Sequence, residues 1–182
     1  MPAAGFALFE TAIGPCGIAW NADASLAGLL LPEGSFEATR TRMQAKFSGV
    51  AETAPPPEVE KITVRVAALL NGAQDDLTDV SLDMTGVPPF HQRVYEVTRA
   101  IPPGRTLTYG EVAAKLGEPR ASRAVGQALG HNPFAPIVPC HRVLAAANGS
   151  GGFSAGGGVS TKLKMLEIEK ARFGLQAGLF DR

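Results

Sequence analysis

The chain has 182 residues, 45% of them hydrophobic, and 17 basic residues balance 17 acidic ones, which is enough apolar material for one generous domain or two small ones. No apolar stretch is long enough to span a bilayer, and the N-terminus lacks a basic run followed by an apolar one, so neither a membrane helix nor a secretory signal is expected. Two cysteines and three histidines without metal-ligand spacing argue against a disulfide framework and a structural metal, and predict free thiols in a reducing cytoplasm.

The neutral total hides a polarity. Residues 1–87 carry 5 Lys and Arg against 11 Asp and Glu, a balance of −6, whereas residues 88–182 carry 12 against 6, a balance of +6. The second half therefore has the charge of a polyanion binder.

In the first half, apolar runs at 6–9, 18–20 and 26–31 are separated by Gly14-Pro15 and by polar residues 21–25, as in an antiparallel meander. Ser35 is placed to cap a helix with Phe36, Met43 and Phe47 near one face. A stiff connector, Ala54-Pro55-Pro56-Pro57, leads to a second helix with Val59, Ile62, Val66 and Leu69 at helical spacing, and residues 80–84 are expected to add a strand. No catalytic set occurs here, so this half reads as structural support.

Pro88-Pro89 opens the second half, where Phe90, Val94, Val97 and Ile101 form a helical stripe ending at Pro102-Pro103-Gly104. Thr108 and Glu111 have the spacing of a capping box, and the helix they begin turns Val112, Ala113 and Leu116 inward before Gly117 stops it. A further helix over 120–129 buries Ala121, Val125 and Leu129 and ends at Gly130. Two short helices with a Gly-containing connection suggest a helix-turn-helix. Arg123 and Gln127, four residues apart, share the face opposite the apolar stripe. Ala124, Gly126 and Ala128 flank them, so the backbone could come close to a nucleic acid while one long side chain projects.

The segment Pro139-Cys140-His141-Arg142-Val143 holds the reactive chemistry. A free thiol with a pKa of about 8.5 is mostly protonated at neutral pH, so a nucleophilic cysteine needs a base or cation beside it. His141 is of the right type. Neighbours in an extended segment point to opposite faces, however, so adjacency does not by itself give a direct bond.

Taken in order, Thr108-Tyr109-Gly110, Arg123-Ala124-Val125-Gly126, Asn132-Pro133, the segment from Pro139 to Val143, Gly151-Gly152-Phe153-Ser154 and a helix containing Glu169 resemble the O6-alkylguanine-DNA alkyltransferase family, from about Pro89 to Gly174. The resemblance implies an α/β (α+β) fold, with a small ribonuclease-H-like domain over 1–87 and a mostly helical, winged helix-turn-helix-like domain over 88–182. It implies that Cys140 takes the alkyl group from O6 of guanine in a single displacement, once per molecule and without a cofactor. His141 would be the base, acting through a bound water, with Glu169 orienting it and Asn132 bracing the turn before the active-site segment. Glu169 lies four residues after Met165 and three after Leu166, so it can face inward. Its neighbour Glu167 suits a surface role.

The partner implied is double-stranded DNA containing O6-alkylguanine, entered through the minor groove with weak sequence preference. Arg123 would fill the place of the flipped base, and Tyr109 would rotate the nucleotide and donate a hydrogen bond to the guanine. Ala124, Gly126 and Gln127 would lie on the DNA face, Val143 and Ser154 near the base, and Arg142 among the substrate or DNA contacts. The expected state is a cytoplasmic monomer, nucleoid-associated if bacterial. Residues 149–158 are glycine-rich but lack a following Gly-Lys-Ser/Thr, so they suit a pocket loop better than a phosphate loop. His91 where relatives have Gln, Phe153 where Tyr is common, and a longer loop before Lys162 bear on pocket shape rather than on the reaction. Three other readings have distinct signatures: a lesion binder lacks the reactive cysteine, a Cys-His-Glu hydrolase turns over repeatedly, and a winged-helix DNA binder makes no covalent change.

Overall fold

The structure of the protein, a computed structural model, describes residues 2–145 and 158–171. The expected meander is present: β1 (Gly5–Thr11), β2 (Gly14–Trp20) and β3 (Leu26–Leu30) are antiparallel and adjacent in that order. Alternation along β2 sends Cys16, Ile18 and Trp20 into the main core and Ala19 into a second cluster with Phe6, Leu30 and Met43. Helix α1 (Phe36–Lys46) covers the second face. Gly17 allows this close approach, since a Cβ there would lie 2.6 Å from Met43. Helix α2 (Pro57–Leu69) packs Val59, Val66 and Leu69 into the main core.

Ser35 caps α1 by accepting from the Ala38 N–H at 3.1 Å. Of the three aromatic or apolar residues expected on one face of α1, Met43 is buried and Phe47 half-buried, but Phe36, the first residue of the helix, is exposed. Residues 80–84 form no strand. Leu82 makes an isolated bridge to Leu26, whose N–H donates to the Ser81 carbonyl at 2.9 Å and whose carbonyl accepts from Asp83 N–H at 2.8 Å, and the pairing goes no further; Arg99 holds the preceding turn by donating to the carbonyls of Leu77, Thr78 and Val80.

Helix α3 (Pro89–Arg99) buries Val94, Tyr95 and Thr98. The two-residue strand β4 (Leu107–Thr108) runs straight into α4 (Tyr109–Lys115), whose capping box is complete: the Thr108 hydroxyl accepts from Glu111 N–H at 3.1 Å, and the Glu111 carboxylate accepts from Thr108 N–H at 3.2 Å. Gly117, with φ of +77°, ends this helix. Helix α5 (Ser122–Gly130) buries Val125, Ala128 and Leu129 and is fastened to α3 by the Tyr95 hydroxyl, which donates to the Ala128 carbonyl at 2.7 Å. Beyond it come a 3-10 turn at Cys140–Arg142, β5 (Val143–Leu144) and α6 (Gly158–Ile168).

The two halves share one apolar core, in which Ile18, Trp20 and Val66 are continuous with Val94, Val125 and Cys140. The outer edge of β3 is also engaged: Leu29 N–H donates to the Pro133 carbonyl at 2.9 Å and bridges Phe134. The N-terminal sheet thus holds the segment that leads to Cys140. No described helix is long and apolar enough to cross a membrane.

Candidate active site

Asn132 fixes the approach to Cys140. Its side-chain oxygen accepts from Phe134 N–H at 2.9 Å while its amide donates to the Val138 carbonyl at 2.7 Å, closing residues 132–138 into a compact loop. Cys140 N–H also donates to the Val138 carbonyl, at 2.8 Å, and the chain then enters a 3-10 turn rather than the extended conformation expected from the sequence. Cys140 is buried. Burial pushes its thiol up, while hydrogen bonding from Asn132, the charge of Lys162 and the backbone N–H groups at 140 and 141 pull it down.

His141 turns into the core and is fully inaccessible. Its Nε2 lies 2.8 Å from Glu169 Oε1. Burial pushes the imidazole below its ordinary value, with the Glu169 hydrogen bond opposing, so the ring is neutral near pH 7. A neutral ring facing a carboxylate carries its proton on Nε2, an assignment from the hydrogen-bond partner, and leaves the Nδ1 lone pair as a base. That Nδ1 is buried without a hydrogen-bond partner among the described residues.

Glu169 does not belong to α6 proper. It sits in the turn just after the helix, its N–H still donating to the Met165 carbonyl at 3.1 Å, and faces inward as expected. Burial raises its carboxyl, but hydrogen bonds from His141 and Arg142 and the Arg142 charge overcome this and hold it down to about 2. Glu167 is exposed.

A second group meets Cys140 from the other side. The pairing of Leu107 with Val143 in the parallel β4–β5 pair sets Tyr109, the first residue of α4, beside the active-site strand. Lys162, on the inward face of α6, is fully buried, donates to the Val143 carbonyl at 2.8 Å, and places Nζ 5.9 Å from the centre of the Tyr109 ring. Burial lowers its ammonium to about 8, with Cys140 acting in the opposite direction. Tyr109 is itself half-buried, and burial raises its phenol. Its ring lies against Gly126 of α5: a Cβ on Gly126 would be 3.6 Å from it.

Residues 89–171 match the model of the 6-O-methylguanine DNA methyltransferase DNA binding domain. The chain is 38% identical over 175 residues to the methylated-DNA–protein-cysteine methyltransferase of Mycobacterium tuberculosis, covering 94% of this chain and 96% of the relative. The chain belongs to the methylated-DNA–protein-cysteine methyltransferase family. The relative from Methanothermobacter thermautotrophicus is 35% identical over 153 residues, with 84% and 78% of the two chains covered. Among solved structures, Mycobacterium tuberculosis OGT in complex with DNA superposes with a TM-score of 0.72 at 35% identity, over 97% of this chain and 99% of the other. The O6-methylguanine-DNA methyltransferase of Pyrococcus kodakaraensis gives 0.67 at 28% identity, over 90% and 98%.

In this family member, the fold brings together Cys140, His141, Glu169, Asn132, Tyr109 and Val143. Arg123 and Gln127 lie exposed on α5, with Ala124 and Gly126 half-buried beside them. Arg142 departs from the expected placement among substrate or DNA contacts. It is buried, donating from Nε and Nη2 to the Glu169 carboxylate at 3.0 and 2.7 Å and from Nη1 to the Ile101 carbonyl at 2.8 Å. The reason is charge: a carboxylate buried beneath His141 needs a permanent cation, and a planar guanidinium satisfies both oxygens. Ser154 and Phe153 lie outside the described residues. His91 packs its ring 6.0 Å from that of His131, which follows α5. Sequence reading missed Lys162. Its spacing to Met165 and Leu166 put a lysine on the buried face of a helix, and that was the available signal.

Proposed function

We propose that this chain repairs O6-alkylguanine in double-stranded DNA by direct reversal, moving the alkyl group onto Cys140. The observation that carries the reading is the buried, neutral His141 next to Cys140 in the chain, hydrogen-bonded to Glu169 through Nε2 and offering an unpartnered lone pair at Nδ1. A thiol raised by burial must lose its proton as it reacts. One water relays that proton to Nδ1, which answers the reach problem between adjacent residues, and Glu169 stabilises the imidazolium that forms. Cys140 Sγ attacks the alkyl carbon, the carbon–O6 bond breaks, and its electron pair moves onto the purine. Tyr109 donates to the purine as this charge develops, and the base finishes as guanine by gaining a proton. The net exchange is alkyl for hydrogen, which leaves a thioether on the protein, so each molecule acts once.

Lys162 supports the same step. Its charge favours thiolate over thiol, and its position over the Tyr109 ring orients the phenol. On the DNA side, α5 enters the minor groove, Arg123 fills the place of the extruded nucleotide, Gln127 lies on the same face, and Ala124 and Gly126 allow the backbone to come close. Val143 borders the base. The reading also divides the chain into a ribonuclease-H-like unit over 1–87 and a winged helix-turn-helix-like unit over 88–182, acting as a cytoplasmic monomer. The opposite charges of the two halves support that division.

Intact-mass measurement after incubation with O6-methylguanine duplex tests the reading. The expected result is the mass gain of one methyl replacing hydrogen, mapped to Cys140, with one equivalent of guanine restored per protein. Repeated turnover without adduct would instead establish a cysteine hydrolase, and binding without adduct a lesion binder.

A further inference from the structure

A cavity of about 200 Å³ reaches Cys140 from the side of the N-terminal half. Leu29, Leu31 and Ala135 give it apolar lining, His131 and Asn132 polar lining, and Arg42 and Lys46 of α1 line it from the N-terminal half. The volume is below the roughly 300–1,000 Å³ of pockets for whole drug-sized ligands, so it suits a small group. A cavity lined by both a thiol and two cations suits a group that carries an electrophilic carbon and an anion.

The two cations are not equivalent. Arg42 is ion-paired with Glu33 at 2.7 Å. Lys46 pairs with no carboxylate among the described residues; its Nζ lies over the Phe47 ring, 5.9 Å from the centre. Partial desolvation and the Arg42 charge push the Lys46 ammonium down, so an arriving anion would relieve an unfavourable setting. The half of the chain without catalytic residues therefore supplies cations to the cavity that Cys140 also lines.

Resting on the alkyl-transfer reading above, we propose that Lys46 sets a substrate preference: O6-alkyl groups that end in a carboxylate are favoured over neutral groups of the same shape. The terminal carboxylate meets Lys46 while the alkyl carbon attached to O6 lies at Cys140 Sγ. Lys46 touches no reacting atom, and transfer of a methyl group, which carries no anion, does not depend on it.

The experiment compares single-turnover transfer from three duplexes of one sequence, bearing O6-methyl-, O6-carboxymethyl- and O6-carbamoylmethylguanine; the last two differ essentially in charge. In the wild-type protein the carboxymethyl group should transfer about three- to tenfold faster than the carbamoylmethyl group, the size of a partly exposed charge pair. That ratio should fall to near one in Lys46→Gln and be kept in Lys46→Arg, with methyl transfer unchanged in both. A ratio equal in wild type and Lys46→Gln overturns the proposal. So does equal slowing of all three substrates by Lys46→Gln, which would make Lys46 a phosphate contact. Failure of the wild-type protein to transfer even the methyl group would overturn the alkyl-transfer reading itself, and the preference with it.

Discussion

His141 Nε2 and Glu169 Oε1 are 2.8 Å apart in a site where the two side chains are 0% and 4% exposed. The same carboxylate also receives two hydrogen bonds from buried Arg142. One acidic residue therefore serves both the base and the core, and its removal should be felt in both.

Glu169→Gln leaves Arg142 buried without its counter-charge, so the variant should lose about 3–5 kcal/mol at pH 7 in chemical denaturation. The pH dependence follows from the direction of the shift. The carboxyl is near 4.5 when unfolded and about 2 when folded, so its ionised form stabilises the fold above pH 4.5. That contribution, about 3 kcal/mol, fades as pH falls from 4.5 towards 2. The gap between wild type and Glu169→Gln should narrow over this window. A gap independent of pH would show that Glu169 is not ionised in the fold.

Lys162→Met removes a charge that lowers the Cys140 thiol while keeping the length of the side chain. The pH–rate profile for transfer from free O6-benzylguanine should move to higher pH, because more base is then needed to reach the same thiolate fraction. Stability carries an independent signature. The Lys162 ammonium falls to about 8 in the fold from 10.5, so the unfolded chain binds more protons between those values. Wild-type stability should rise with pH across that window, and the rise should be absent in Lys162→Met. An unshifted rate profile would reduce Lys162 to a packing role.

Cys140→Ala should abolish transfer and retain binding to damaged duplex, since α5 is untouched. Cys16, fully buried in β2 with burial pushing its thiol up to about 12, is inert, so Cys16→Ser should transfer one equivalent as before. Labelled alkyl on Cys16 in the Cys140→Ala protein would overturn the choice of nucleophile.

Arg123 separates attraction from extrusion. A point charge would serve phosphate attraction, so Arg123→Lys would then be nearly normal; filling the place of a flipped base needs a planar, forked group. Both Arg123→Lys and Arg123→Ala should react slowly with duplex DNA, Ala more so, yet at near wild-type rate with free O6-benzylguanine, which needs no flipping. Equal slowing on the free base would place Arg123 in the support of the pocket.

The sequence by itself determined what is local. The alternation of β2, the Ser35 cap, the Thr108–Glu111 capping box and the opposed Arg123 and Val125 faces of α5 follow from spacing within one turn or one strand, where neighbours in sequence are neighbours in space. The ordered motifs around Cys140 gave the family. Tertiary structure decided what depends on distant residues. Arg142 looked like a surface contact because its partner Glu169 lies 27 residues away, and only the fold shows that a buried carboxylate needs it. Lys162, 22 residues after Cys140, comes to act on it only because the β4–β5 pairing and α6 converge there. Residues 80–84 reach the sheet only through the bridge of Leu82 to Leu26, a pairing between residues distant in sequence. The placement of Arg42 and Lys46 at a cavity shared with Cys140 has no local signal, since it follows from the docking of β3 on Pro133 and Phe134. Charges and backbone acceptors find partners wherever folding brings them, and the price of leaving them unpaired in the core makes those long-range choices firm.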